Sequence, residues 1–152
     1  MGDVDANLAR AINMIDELEG VSVASVSPVY KTEPQNKKDQ EWFANQVVSV
    51  NCDHTMTAID LLDTLLSIED VLGRVRKERF GPRIIDLDVL MFGEQVISSD
   101  RLTVPHPRMH ERAFVLVPLH DIAPEVCFPD GRGLSEVLSC LNYKVDACQI
   151  WQ

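Results

Sequence analysis

Apolar residues recur along this chain with two different periods, and each period predicts its own kind of element. Over residues 4–18, Val4, Leu8, Ala11, Ile12, Ile15 and Leu18 keep helical spacing, with acids in the first turn and Gly20 beyond the end. This is the mark of an amphipathic helix. Residues 21–30, rich in Val and Ser, predict a strand; residues 32–41 have the Pro, Asn, Lys and Asp content of a loop; and residues 43–50 predict a second strand. Thr55 or Thr57 can cap a helix whose Ala58, Leu61, Leu62, Leu65, Ile68 and Leu72 form one apolar stripe ending at Gly73. That stripe is ordinary core. Residues 84–92, IIDLDVLMF, are apolar apart from two acids, and Gly93-Glu94 predicts a turn returning the chain as a hairpin through residues 95–98. Residues 108–120 are expected to be helical, stopping before Pro124, and Leu134, Val137, Leu138 and Leu141 mark a last short helix.

Helices and strands alternate, but the hairpin and the short connections favour antiparallel pairing, so the expected class is α+β with helices packed on a sheet. A ferredoxin-like sandwich is the preferred architecture. With 152 residues, 45% of them hydrophobic, and no repeat, low-complexity tract or linker, the chain is expected to form a single domain over residues 1–152. No apolar run approaches the roughly 20 residues of a membrane span, and the first residues lack the basic and apolar parts of a signal peptide. A cytoplasmic protein is expected. Cys52, Cys127, Cys140 and Cys148 are widely spaced, without a C-x-x-C pair, and are read as incidental thiols rather than ligands.

Charge changes the picture more than composition does. The formal net charge of -10 opposes broad contact with nucleic acid or anionic lipid. Yet residues 74–83, RVRKERFGPR, hold five of the fourteen Lys and Arg residues and one acid, Glu78. A local basic excess inside an acidic protein points to a compact anionic ligand.

Just after that stretch, Asp86 and Asp88 stand two apart on the predicted strand, so their side chains share a face at roughly 7 Å while Ile85, Leu87 and Val89 enter the core. Mg²⁺ prefers a few carboxylates plus water and phosphate oxygens to a closed protein cage, and such a pair can bridge two ions. The plain alternative is that both acids only solubilise an exposed strand face. The basic loop opened by Gly73 and closed by Gly81-Pro82-Arg83 favours the metal, because arginine's planar fork suits phosphate oxygens and a mobile loop can deliver it. Neither a G-x-x-x-x-G-K-[ST] sequence nor a kinase glycine-rich loop occurs, so side chains must supply the positive charge. His106, between prolines in Val104-Pro105-His106-Pro107 and flanked by Arg101 and Arg112, is either structural or a phosphate contact.

GRVRKERFGPRIIDLDVLMFG (residues 73–93) followed by RLTVPHPRMHERAFVLVPLHDIAPE (residues 101–125) resembles 6-hydroxymethyl-7,8-dihydropterin pyrophosphokinases of folate synthesis. The resemblance runs over about residues 2–133. It implies a ferredoxin-like α+β enzyme that moves diphosphate from ATP to the hydroxymethyl oxygen of the pterin and releases AMP. By the same matching, Asp86 and Asp88 would be the paired Mg²⁺ ligands, for two ions, and Arg74 and Arg83 would clamp the transferring phosphates. Arg76 and Lys77 would lie on the mobile loop, Arg101, Thr103, His106 and Arg112 would line the ATP site, and Val89 would touch adenine through its backbone. Thr32, Phe43, Asn45 and Phe114 would form the pterin pocket, the two phenylalanines sandwiching the flat ring and Asn45 reading its polar edge. No general base is evident; a phosphate oxygen, metal-polarised water or no formal base could take the hydroxyl proton. The expected partners are these small molecules, with no nucleic acid, membrane or stable protein partner.

Three departures from that family pattern stand out. Phe80 replaces a frequent tryptophan, and Leu66 replaces a polar nucleotide contact of some members, so no such contact is assigned. The usual first strand, reading like Y-I-G-L-G-S-N, has no counterpart before Met1-Gly2-Asp3. It is expected to be missing, with Met1 an internal methionine or an artificial boundary, and its loss is expected to leave two unpaired sheet edges. Two other readings compete: a D-x-D nucleotidyl- or glycosyltransferase, and an RNA-binding ferredoxin-like module, the latter opposed by the charge and by the lack of an aromatic platform.

Overall fold

A computed structural model describes residues 4–33, 42–73 and 85–152 of the protein. The first helix, α1 (Val4–Asp16), presents buried Ala11 and Ile15 to the core and ends in a turn where Gly20 adopts φ +81°. Helix α2 (Ala58–Gly73) buries Ala58, Leu61, Leu65, Ile68 and Leu72, the predicted stripe. Of the two threonines proposed as its cap, Thr57 serves. Its hydroxyl accepts the Asp60 N–H at 3.1 Å while the Asp60 carboxylate accepts the Thr57 N–H at 3.1 Å, a reciprocal arrangement that satisfies two otherwise orphaned donors.

Both predicted strands divide, and they divide at the same level. The first becomes β1 (Val21–Val26) and β2 (Tyr30–Thr32); the second becomes β3 (Phe43–Asn45) and β4 (Val48–Cys52). β1 pairs antiparallel with β4, with an irregularity between Val23 and Ser25, while β2 pairs antiparallel with β3 in a separate sheet. Ser27 pins the switch. Its backbone N–H donates to the Val47 carbonyl at 2.9 Å, its hydroxyl accepts the Val47 N–H at 2.9 Å, and its carbonyl accepts from the Gln46 side chain at 2.8 Å. Pro28 follows and has no N–H to continue a ladder.

The hairpin predicted for residues 84–92 and 95–98 is corrected. Among the described residues, 85–92 joins no ladder, and β5 (Ile97–Ser98) pairs instead with β6 (Thr103–Val104). The Leu90 carbonyl is already taken by the His106 N–H at 2.7 Å, which places the His106 segment where the returning strand was expected. The helix predicted over residues 108–120 is also broken. A 3-10 turn, Met109–Glu111, precedes α3 (Ala113–Ile122), because Arg112 between them is extended at φ -115°, ψ 105°. After α4 (Leu134–Ser139) comes a hairpin that the hydrophobic pattern did not predict, β7 (Lys144–Asp146) and β8 (Gln149–Trp151). β8 runs parallel to β2, giving a four-stranded sheet in the order β3-β2-β8-β7.

The class is therefore α+β, with antiparallel and mixed sheets. One core is shared by α1, α2, β1 and residues 85–104; another lies between α3 and α4 and reaches Val47; a small third cluster joins Tyr30, Ala113 and Ile150. No helix among the described residues is long and apolar enough to cross a membrane.

Candidate functional site

Residues 85–92 follow the predicted alternation. Val89 is buried and Ile85 and Leu87 pack on the core shared with α2, while Asp86 and Asp88 are exposed. Because no ladder fixes this segment among the described residues, other contacts must. The Glu69 carboxylate on α2 accepts the N–H of Leu87, the residue between the two aspartates, at 3.3 Å, and the Leu90 carbonyl is held by His106. The aspartates thus sit on backbone anchored on either side of Asp88.

His106 is half-buried, and its Nδ1 accepts the Arg108 N–H at 3.2 Å. Burial holds the imidazole below the ordinary histidine range; Asp88 pulls it upward, and Arg112 and Arg108 add to the lowering. A neutral ring with Nδ1 as acceptor carries its proton on Nε2, where it is a hydrogen-bond donor. Asp88, His106 and Arg112 therefore share one electrostatic neighbourhood. Thr103 lies on β6, opposite Ser98, three residues before His106. Arg101, by contrast, ion-pairs with Asp63 of α2. Val89 commits its side chain to the core. Arg74, Arg76, Lys77 and Arg83 lie outside the described residues.

The other candidate group sits on β2, β3 and α3. Thr32 pairs with Phe43 in the ladder, and its hydroxyl accepts from the Asn45 side-chain amide at 2.9 Å. Thr32 is buried, whereas Phe43 is 57% exposed. Phe114 is the second residue of α3, with the Arg112 guanidinium 5.5 Å from its ring centre. β2 is tied to α3 by Tyr30, whose hydroxyl donates to Asp121. Burial and that carboxylate raise the Tyr30 pKa.

The 7,8-dihydro-6-hydroxymethylpterin-pyrophosphokinase (HPPK) family model matches residues 1–124, which include both groups. The chain belongs to the HPPK family. A 2-amino-4-hydroxy-6-hydroxymethyldihydropteridine pyrophosphokinase of Pseudomonas aeruginosa is 44% identical over 137 residues, covering 90% of this chain and 83% of that protein. One of Methylorubrum extorquens is 43% identical over 142 residues, covering 93% and 88%. The folic acid synthesis protein fol1 of Schizosaccharomyces pombe is 40% identical over 142 residues, 93% of this chain but 19% of that longer protein. HPPK membership displaces the glycosyltransferase and RNA-module readings.

Asp86 and Asp88 are the two exposed acids of residues 85–92. Among the described residues no cluster of three or more His, Cys, Asp or Glu could enclose a metal. An exposed pair of carboxylates matches Mg²⁺, which keeps several waters and takes substrate phosphate oxygens. Sequence reasoning missed Glu69 and Asp63, which hold Leu87 and Arg101. The available signal was the polar side of α2, whose acids alternate with the core stripe without revealing what they face.

Proposed function

We propose that this HPPK transfers diphosphate from ATP to 6-hydroxymethyl-7,8-dihydropterin and releases AMP, with Asp86 and Asp88 holding two Mg²⁺ ions. Family membership makes the chain a pyrophosphokinase of folate biosynthesis. The observation that supports the site assignment is the exposure of both aspartates on anchored backbone beside buried Val89, with Asp88 in the field of His106.

In this reading Asp86 and Asp88 would hold the Mg²⁺. Bound Mg²⁺ supplies neutralisation of phosphate charge and alignment for in-line displacement. His106 donates from Nε2 to a phosphate oxygen, Thr103, Arg101 and Arg112 complete the ATP site, Val89 meets adenine through its backbone, and Arg76 and Lys77 approach on the loop. Arg74 and Arg83 clamp the moving diphosphate. Phe43 and Phe114 sandwich the pterin while Asn45 reads its edge, oriented by Thr32. The hydroxymethyl oxygen then attacks the β-phosphorus, the bond from that phosphorus to the oxygen shared with the α-phosphate breaks, AMP leaves with that oxygen, and the hydroxyl proton is released to solvent. The α-β-β-α order around β1 and β4, followed by residues 85–92, supports one domain of ferredoxin-like architecture.

Pterin-dependent AMP release with ATP and Mg²⁺ tests this reading. Removing one carboxylate, Asp86→Ala or Asp88→Ala, should lower turnover on the order of 100-fold or more, as loss of a charge-stabilising group in a transition state does. Near-parental turnover in both variants would overturn the metal assignment.

A further inference from the structure

The hairpin β7–β8 lies beyond the residues matched by the HPPK model and has no role in the chemistry above. Most of it is exposed: from Lys144 to Gln149 no side chain is buried, and only Ile150 is fully buried. A hairpin of this kind contributes little core of its own, and an isolated one is marginal in water. Its contacts are nevertheless concentrated on the elements that carry the proposed pterin pocket.

Three contacts converge there. β8 continues the sheet beside β2, with Thr32 opposite Ile150, and the Lys31 N–H donates to the Cys148 carbonyl at 2.8 Å. Trp151 meets Trp42, the residue before Phe43, edge to face at 5.4 Å between ring centres, and Lys144 lies 5.2 Å from the Trp151 ring centre. Gln152 then spans the start of α3. Its side-chain oxygen accepts the Ala113 N–H at 2.7 Å, and its amide donates to the Glu111 carbonyl at 2.6 Å. Arg112 offers α3 no side-chain cap, so Gln152 supplies the acceptor that the first helical N–H needs. Ala113 is the residue before Phe114.

We propose that β8 and Gln152 act as a clamp that sets the spacing of Phe43 and Phe114, making Trp151 and Gln152 positioning residues for the pterin. One braces the residue before Phe43, and the other fixes the helical turn that launches Phe114. The inference rests on the pterin assignment above. Its consequence is selective at Trp151, because the phosphate end at Asp86, Asp88 and His106 has separate supports in α2 and in the Leu90–His106 bond, whereas the two Gln152 bonds flank Arg112 and so bear on the ATP side as well.

Steady-state kinetics on the full chain tests it, varying pterin at saturating ATP and then ATP at saturating pterin. Trp151→Ala and Gln152→Ala should each raise the pterin KM about tenfold, a misplacement effect, while the ATP KM of Trp151→Ala stays within about twofold. Trp151→Phe, which keeps an aromatic edge for Trp42, should recover most of the pterin KM. If Trp151→Ala does not fold, Gln152→Ala decides alone, with calorimetric pterin binding as a readout independent of turnover. An active parent whose Gln152→Ala form keeps the parental pterin KM overturns the clamp, as does an equal loss toward both substrates in Trp151→Ala. A parent without pterin binding or pterin-dependent AMP release overturns the underlying site reading instead.

Discussion

Residues 85–92 and strand β2 both carry candidate functional side chains, and the fold holds them by different means. β2 is laddered on both sides, by β3 and by β8. Residues 85–92 join no ladder among the described residues and are held by buried Val89, by Glu69 at Leu87 and by His106 at Leu90. The difference separates two kinds of vulnerability. A laddered platform distributes its support over many backbone bonds, so damage to it should register first as lost stability. A segment anchored at a few points should lose geometry, and hence rate, before it loses stability.

The largest effect expected on the laddered side is Ile150→Ala. Ile150 is fully buried between Tyr30 and Ala113, and removing it should cost about 2–5 kcal/mol in urea denaturation. A loss below about 1 kcal/mol, the range of surface substitutions, would erase the contrast. On the anchored side, Glu69→Ala should lower turnover about 10–100-fold, as loss of groups that orient metal ligands does. Thermal unfolding of the same protein should shift less than that of Ile150→Ala. If stability falls more than rate, the segment is not point-anchored.

A smaller effect sharpens the platform through pH. The Tyr30 hydroxyl is held above the ordinary tyrosine range, by burial first and then by Asp121. The unfolded chain therefore releases this proton at lower pH than the folded one, so the contribution is intact below about pH 10 and declines as pH rises through that value. Tyr30→Phe should cost about 1 kcal/mol at neutral pH by loss of one hydrogen bond and should flatten the alkaline decline. An unchanged slope above pH 10 would remove Tyr30 from the account.

Legibility in the sequence tracks the same division. The α2 stripe and the alternation of Asp86 and Asp88 with core residues were readable because each is a periodic pattern of burial, and burial follows side-chain polarity. The break of both strands at Ser27 and Val47 had only Pro28 as a signal, since Val-rich sequence continues on either side and the pairing of Ser27 reveals the switch. The expected hairpin failed for a similar reason: a long-range partner, His106, occupied Leu90. β7 and β8 escaped notice because they are only three residues each, and they fold by adding to β2 rather than by burying a stripe. At the candidate site, Asp86, Asp88 and His106 could be nominated by type and spacing, whereas Glu69, Asp63 and Gln152 act through contacts distant in sequence.

The metal assignment of the aspartates is tested most directly by calorimetric titration of a nonhydrolysable ATP analogue, with and without Mg²⁺, into the parent and into Asp86→Asn. The parent should bind far more tightly with Mg²⁺, whereas Asp86→Asn should lose most of that Mg²⁺ dependence and still bind pterin. Undiminished Mg²⁺ dependence in Asp86→Asn would contradict the account.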